Sequence, residues 1–326
     1  MDPCSFRPIC LLSALGKIYE KIIVNRLKYH IHKNNFLSPK QYGFRSGCST
    51  THALQRIYDE VQHNRSQNLQ TAFISVDLQS AFDTLWWPAI KQALREAQCP
   101  ENIYQVFDSY LTDRQLLIAS NNGIVTKTQT RGCPQGSCAG PLLWNLTFNK
   151  ILEATWPDHT TIIAYADDAA ILVKGRTRDE IEANGSEACA KFASLCEDLK
   201  LKISITKSSA LLIPRPGTRP VRRPCIRLLG RNIKFTDTLK YLGLVWDSGL
   251  TWVPHLQQMR VKTSAIARMT RKFQGRNWGL NPHIQKSQHF QLTVPEQDCS
   301  LEGVTSPCSL KLCIEHSVLT LEPELK

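Results

Sequence analysis

Asp77 closes an apolar run, TAFISVD (71–77), and Asp167-Asp168 splits a second one, TTIIAYA from AAILVK. Both runs read as strands, with the acidic pair placed where a tight two-residue hairpin would turn. If the strand ending at Asp77 lies beside that hairpin, three carboxylates meet at one edge of a sheet. Three ionised carboxylates within a few ångströms repel, and one takes up a proton. Divalent metal removes the conflict. Two Mg2+ ions roughly 3.5–4 Å apart can activate an attacking oxygen and stabilise a leaving one in phosphoryl transfer. Taken singly, each acid has an ordinary reading, because Asp tolerates turns and strand ends. Asp83 reads as structural, the acid of a capping box opened by Ser80.

The elements that would position these acids follow from periodicity. Residues 14–32 have helical spacing, with Leu15, Ile18 and Ile22 on one stripe and Ser13 as N-cap. A turn-rich stretch (34–50) precedes a helix over 51–62. After the strand at 71–77, a helix starts at Ser80 or restarts with Pro88 at its first position, and ends near Gln98. An amphipathic stretch (101–111) and a hairpin (114–130) around Asn121-Asn122-Gly123 come next. RGCPQGSCAGP leads into a helix from Leu142. Beyond the acidic hairpin the pattern predicts a helix (179–199), a strand (208–213), a Pro/Arg-rich loop (214–224), a short β pair around Tyr241-Leu242-Gly243 and a basic helix (255–274). The order β–α–β hairpin–α–β describes an α+β fold with a split βαβ sheet and helices on one face.

The chain has 326 residues and a formal net charge of +12. Its 42% hydrophobic and 21% charged residues exclude a disordered or membrane-like composition. Residues 211–280 alone carry 14 basic and 2 acidic side chains, so the surplus lies in one strip suited to a polyanion. The twelve cysteines form no C-x-x-C pair, which favours reduced thiols over a zinc site or a disulfide scaffold. The start of the chain is a poor signal peptide, because Asp2 offsets Arg7 and two prolines interrupt it. No run is long and apolar enough to span a bilayer.

Read in order, SFRPICLLSALGKIYEKIIVNRL, QYGFRSGCSTTHAL, ISVDLQSAFDTLWW, RGCPQGSCAGPLLWNL, AYADDAAILV, LKISITKSSALL and LKYLGLVWDSGLTWVPHL resemble successive blocks of a reverse transcriptase of LINE-type, non-LTR retrotransposons, of an arthropod-like lineage. A lone YADD is a weak motif; seven blocks in order over residues 5–282 are specific. The resemblance implies a right-hand polymerase, with partial fingers over 1–70, a palm with inserted finger elements over 71–235, and a primer grip and partial helical thumb over 236–282. Residues 283–326, Ser-, Thr- and Cys-rich and net negative, fall outside the pattern. They are expected to be a disordered or non-native tail of a truncated or frame-shifted copy.

By the same resemblance Asp77, Asp167 and Asp168 hold two Mg2+ ions, and Lys207 is a candidate general acid toward pyrophosphate. Phe82 would lie where a ribose 2′-OH projects and so favour deoxynucleotides. Gln135 and Gly136 would line the incoming nucleotide, and Arg7 would clamp its triphosphate. Tyr241, Leu242 and Gly243 would grip the primer. Arg260, Lys262, Arg268, Arg271 and Lys272 would track phosphates from a helix whose apolar stripe is Leu256, Met259, Ile266 and Phe273. The implied partners are an RNA template, a DNA primer and deoxynucleotide triphosphates, without a membrane. The implied setting is intracellular, with nuclear action. The alternative is a catalytically incompetent fragment that only binds nucleic acid.

Overall fold

The run from Ala72 to Val76 lacks polar alternation, and a strand of that kind must be covered on both faces. The computed structural model describes residues 13–120, 123–133, 136–218 and 222–271, and it places this strand in the middle of a five-stranded sheet. In chain order the elements are α1 (Ala14–Lys33), α2 (Thr50–Ser66), β1 (Gln70–Leu78), α3 (Ala81–Thr84), α4 (Trp87–Glu96), α5 (Glu101–Tyr110), β2 (Gln115–Ser120), β3 (Gly123–Thr128), α6 (Gly140–Leu152), β4 (Thr160–Tyr165), β5 (Asp168–Gly175), α7 (Arg178–Asp198), β6 (Ile203–Ile213), β7 (Arg227–Leu228), β8 (Arg231–Asn232), β9 (Lys234–Phe235), β10 (Thr238–Tyr241), β11 (Leu244–Asp247) and α8 (Val253–Arg271). The sheet order is β4-β5-β1-β6-β9; β1 is antiparallel to both neighbours, and β9 adds in parallel to β6.

Both faces of this sheet are buried. Ala72, Ile74 and Val76 share a core with Ile90 and Leu94 of α4, Trp144 and Phe148 of α6, and Phe192 of α7. Phe73 points the other way, into a second core with Leu54 and Ile57 of α2 and Tyr241 and Trp246 of the β10–β11 hairpin. The expected one-sided arrangement is therefore corrected: α2 and a hairpin cover the opposite face, as the apolar residues on both sides of β1 require.

Other departures are local. On α1, Leu15, Ile18 and Ile22 are exposed, and the helix packs through Val24, Leu27 and Ile31 instead. Ser13 does cap α1, accepting from the Gly16 amide at 3.1 Å. Ser80 makes no side-chain cap; it is left-handed (φ 45°), and α3 runs only four residues. The capping box assigned to Ser80 and Asp83 is thus absent. α4 begins at Trp87, which makes Pro88 its second residue. β6 begins five residues earlier than expected, at Ile203. On α8, Leu256 packs against the second core while Ile266 is exposed, so the apolar stripe is used only near its start. Phe273, the hairpin apex Asn121-Asn122 and the tail after Pro282 lie outside the described residues. Among the described residues no helix is long and apolar enough to cross a membrane.

Candidate active site

β1 and β5 pair from Gln70↔Gly175 to Val76↔Ala169, and one further step in that register sets Asp77 opposite Asp168. Tyr165 pairs with Asp168 across the β4–β5 hairpin, so its two-residue turn is Ala166-Asp167, one position earlier than the expected Asp167-Asp168. Of those two residues only Ala166 has positive φ (57°), the signature of a II′ rather than a I′ turn. Asp167 therefore stands on the turn and Asp168 opens the strand, with Asp77 across from it.

Asp77 sits at an irregularity of its own strand. The β1–β6 register passes from Ser75↔Ser209 to Asp77↔Ser204, so Val76 alone faces the four residues 205–208. A bulge of this kind frees backbone groups and re-aims side chains. Ser208 repairs it: its Oγ accepts from the Asp77 amide at 3.1 Å and its hydroxyl donates to the Ser204 carbonyl at 2.7 Å. Lys207 lies in the same bulge, exposed, near enough for its charge to act on Asp77.

The carboxylates feel one another. Desolvation raises Asp77 above the ordinary carboxylate range; Lys207 opposes that and Asp167 adds to it. Asp168 is pushed up to about 6, by desolvation first and then by Asp167 and Asp77. Asp168 as a whole residue is exposed, yet the protein around its carboxyl makes desolvation the leading cause of the rise. No group of three or more His, Cys, Asp or Glu side chains among the described residues forms a ready-made metal cage. Mg2+ does not require one, because it is commonly held by one or two carboxylates together with substrate phosphates and water. An all-oxygen donor set whose members raise one another's proton affinity fits such a cation.

Phe82, on α3, is half-buried. Its ring centroid is 5.3 Å from that of Trp144 and 5.8 Å, edge-on, from that of Phe44. The ring packs on the core, as an aromatic there is expected to, and it follows closely on the strand that carries Asp77. The loop before α6 is stapled to it. The Cys133 amide donates to the Phe82 carbonyl at 2.8 Å and the Gly132 amide to the Leu85 carbonyl at 2.7 Å. Gly132 is obligatory, with φ 92° and a Cβ position only 2.7 Å from the Asp83 carbonyl oxygen. Gly136 is exposed with φ 105°, a left-handed conformation that glycine adopts without strain. Past it, Glu20 of α1 accepts from the Ser137 hydroxyl and, at 3.1 Å, from the Cys138 amide.

The β10–β11 hairpin turns at Leu242 (φ 47°) and Gly243 (φ 84°), both left-handed as a I′ turn demands. Tyr241 is not free to meet a primer through its side chain. It is buried at 3% exposure, packs edge-on against Phe73 and donates its hydroxyl to the Asp168 carbonyl at 3.0 Å. It ties the hairpin to the acids, which leaves the turn itself to face solvent. Arg260, Lys262 and Arg268 are exposed on α8. Arg7, Gln135, Lys272 and the side chain of Arg271 lie outside the described residues.

Sequence reasoning passed over Ser208 and Glu20. Each acts on a partner far along the chain, 131 residues away for Ser208 and 117 for Glu20, so no local pattern marks it.

Known proteins carry related sequences. Residues 2–246 match the family described as Reverse transcriptase (RNA-dependent DNA polymerase). The chain is 33% identical over 279 residues to a Pol polyprotein from the type-1 retrotransposable element R1 of Bradysia coprophila, covering 86% of this chain and 27% of that one. It is 29% identical over 300 residues to the RNA-directed DNA polymerase from mobile element jockey of Drosophila melanogaster, covering 88% and 32%. The chain thus spans about a quarter to a third of the length of these relatives. Among solved structures, a Candida Tropicalis telomerase in complex with a telomeric RNA fragment aligns at a TM-score of 0.49 and 12% identity, over 72% of this chain and 36% of that one.

Proposed function

The chain belongs to the reverse transcriptase (RNA-dependent DNA polymerase) family, and we propose from that premise that it adds deoxynucleotides to a primer 3′-hydroxyl opposite an RNA template. One observation supports the reading above the rest: the β1–β5 register brings Asp77 opposite Asp168, beside Asp167, at a sheet edge where a phosphate could approach.

In this reaction the primer oxygen attacks the α-phosphorus, a P–O bond forms, the α–β bond breaks and pyrophosphate leaves. Asp77 and Asp167 are the principal oxygen ligands in this reading, with Asp168 supporting. Two Mg2+ ions, when bound there, supply the charge that lowers the pKa of the attacking hydroxyl and neutralises the triphosphate. Lys207, whose charge reaches Asp77, gives a proton to departing pyrophosphate in this reading. Phe82 occupies the side of the site where a 2′-hydroxyl would project and so selects deoxynucleotides. Gly136, with Gln135, lines the nucleotide, and Arg7 clamps its triphosphate. The Leu242-Gly243 turn rests on the primer. The cations of α8 (Arg260, Lys262, Arg268, Arg271) and Lys272 hold template–primer phosphates without reading sequence. This activity carries with it intracellular, nuclear action.

Primer extension on an RNA template with Mg2+ tests the reading. The wild-type chain should make DNA and Asp167→Asn should not; equal extension by both would refute the site. Salt-sensitive nucleic-acid binding without extension by the wild-type chain would select a fragment that only binds.

A further inference from the structure

The turn that carries Asp167 is strained and is held from outside the sheet. Ala166 takes φ 57°, a conformation that L-residues other than Gly, Asn and Asp rarely adopt. It is 7% exposed, so water cannot satisfy both of its backbone groups. Gln41 satisfies them together. Its Oε1 accepts from the Ala166 amide at 2.9 Å while its Nε2 donates to the Ala166 carbonyl at 3.2 Å. The carboxamide thus pairs with Ala166 as a neighbouring peptide would. Trp144 adds a second donor to that carbonyl, Nε1 at 2.9 Å.

The segment around Gln41 is itself fixed to the hairpin. The Tyr42 amide donates to the Ala164 carbonyl at 2.8 Å, and the Ala164 amide to the Lys40 carbonyl at 2.9 Å. Residues 40–42 therefore lie on the free edge of β4 as a short parallel bridge. The Gly43 amide also donates to Gln41 Oε1 at 2.9 Å, and Asn145 donates to the Gly43 carbonyl at 2.9 Å. Gln41 is 1% exposed, and both polar atoms of its side chain serve this junction, while its own amide donates to the Ser38 carbonyl at 3.2 Å and its carbonyl accepts from Arg45 at 3.2 Å.

We infer that Gln41 is a positioning residue for nucleotidyl transfer: it locks the Ala166 turn so that Asp167 and Asp168 project from a fixed backbone. The inference rests on the proposed polymerase activity. Only a side chain with a donor and an acceptor in one plane does this; Glu has no donor when ionised, and Met has neither group.

The test uses the full chain, first shown to extend a primer, so that an inactive wild type would count against the polymerase reading and not against Gln41. Gln41→Met keeps the volume and removes both bonds. Its kcat should fall about 10–100-fold, the usual cost of losing a group that orients metal ligands, and the Mg2+ concentration for half-maximal rate should rise. The Kd for template–primer, measured without Mg2+, should stay within about twofold, because no phosphate contact changes. Trp144→Phe, which removes one donor and keeps the ring's bulk, should shift kcat and Mg2+ dependence in the same direction by less; this variant carries the test if Gln41→Met fails to fold. The inference is overturned if kcat and Mg2+ dependence stay at wild-type values, or if kcat falls only in proportion to lost template–primer binding.

Discussion

Gly43→Ala isolates the contact between the 38–45 segment and the catalytic turn. A Cβ at Gly43 would lie 2.1 Å from the Ala166 amide nitrogen, 2.7 Å from its Cα and 2.9 Å from its Cβ. Two of these three atoms are backbone, so no side-chain rotation relieves the overlap. Ordinary contact needs separations of about 3.5 Å or more, and the two segments must part by more than about 1 Å. Gly43 has no positive φ, so alanine itself is tolerated there and the whole effect is steric. Overpacking of this kind costs about 1–3 kcal/mol. Parting the segments also loosens the Gly43–Gln41, Ala166–Gln41 and Asn145–Gly43 hydrogen bonds, at about 1 kcal/mol each. The variant should melt on the order of 10 °C lower yet remain folded, because the junction meets only a few members of either core, such as Trp144 and Ala164 in one and Tyr42 beside the other.

The catalytic loss should be larger than the thermal one suggests. A displacement near 1 Å at a catalytic group costs about 100-fold in rate, and here the displaced atoms are the backbone next to Asp167. Primer extension should therefore fall about 100-fold at a temperature where the variant is folded by circular dichroism. Gly47→Ala is the control: it is left-handed (φ 76°) but meets nothing within 4 Å, so it should cost about 1 kcal/mol of stability and leave the rate unchanged. A Gly43→Ala protein that extends primer at the wild-type rate would refute the coupling of this segment to the turn.

Phe82→Val should raise ribonucleotide relative to deoxynucleotide incorporation by roughly tenfold or more, about 1.4 kcal/mol of lost discrimination. Phe44→Ala, which removes the edge-on support of that ring, should do the same to a smaller extent; competition between rCTP and dCTP measures both. Asp168, raised to about 6, binds its proton more tightly folded than unfolded, so in Mg2+-free buffer its ionisation destabilises the fold progressively as pH rises from about 4 through 6. Asp168→Asn should accordingly match the wild-type melting temperature near pH 4 and exceed it at pH 7.5, by calorimetry; a constant difference would remove the assigned cause.

The parts legible in the sequence are those with local signatures. The apolar run ending in Asp77 and the paired runs around Asp167 and Asp168 announced themselves by period and bounding residues. What escaped has the opposite character. The bulge at Asp77 arises because Thr206, Lys207 and Ser208 interrupt the apolar run of β6, which read as the strand's beginning rather than as its middle. Gln41 acts on a turn 125 residues away and is buried, whereas a lone Gln in a turn-rich stretch reads as a surface residue. The burial of Tyr241 is set by Phe73 on the far face of the sheet, a face the one-sided reading of β1 left uncovered. On α1 the apolar stripe near Ser13 was visible, but the helix buries side chains only from Val24 onward, where it packs on the core.

The bulge, Gln41 and Tyr241 share one physical origin. Cross-strand like charges destabilise a sheet, so the edge carrying Asp77, Asp167 and Asp168 must be held by something other than its own ladder. Three side chains hold it through the backbone, each from a different part of the fold. Ser208 of β6 accepts the Asp77 amide, Gln41 pairs with Ala166, and Tyr241 of the β10–β11 hairpin donates to the Asp168 carbonyl. None of the three adds charge to the site, and each bonds main chain, so the carboxylates keep their oxygens for metal and phosphate. The consequence is mechanical: a displacement of the 38–45 segment, of the β6 bulge or of the β10–β11 hairpin reaches the acids through one hydrogen-bonded side chain.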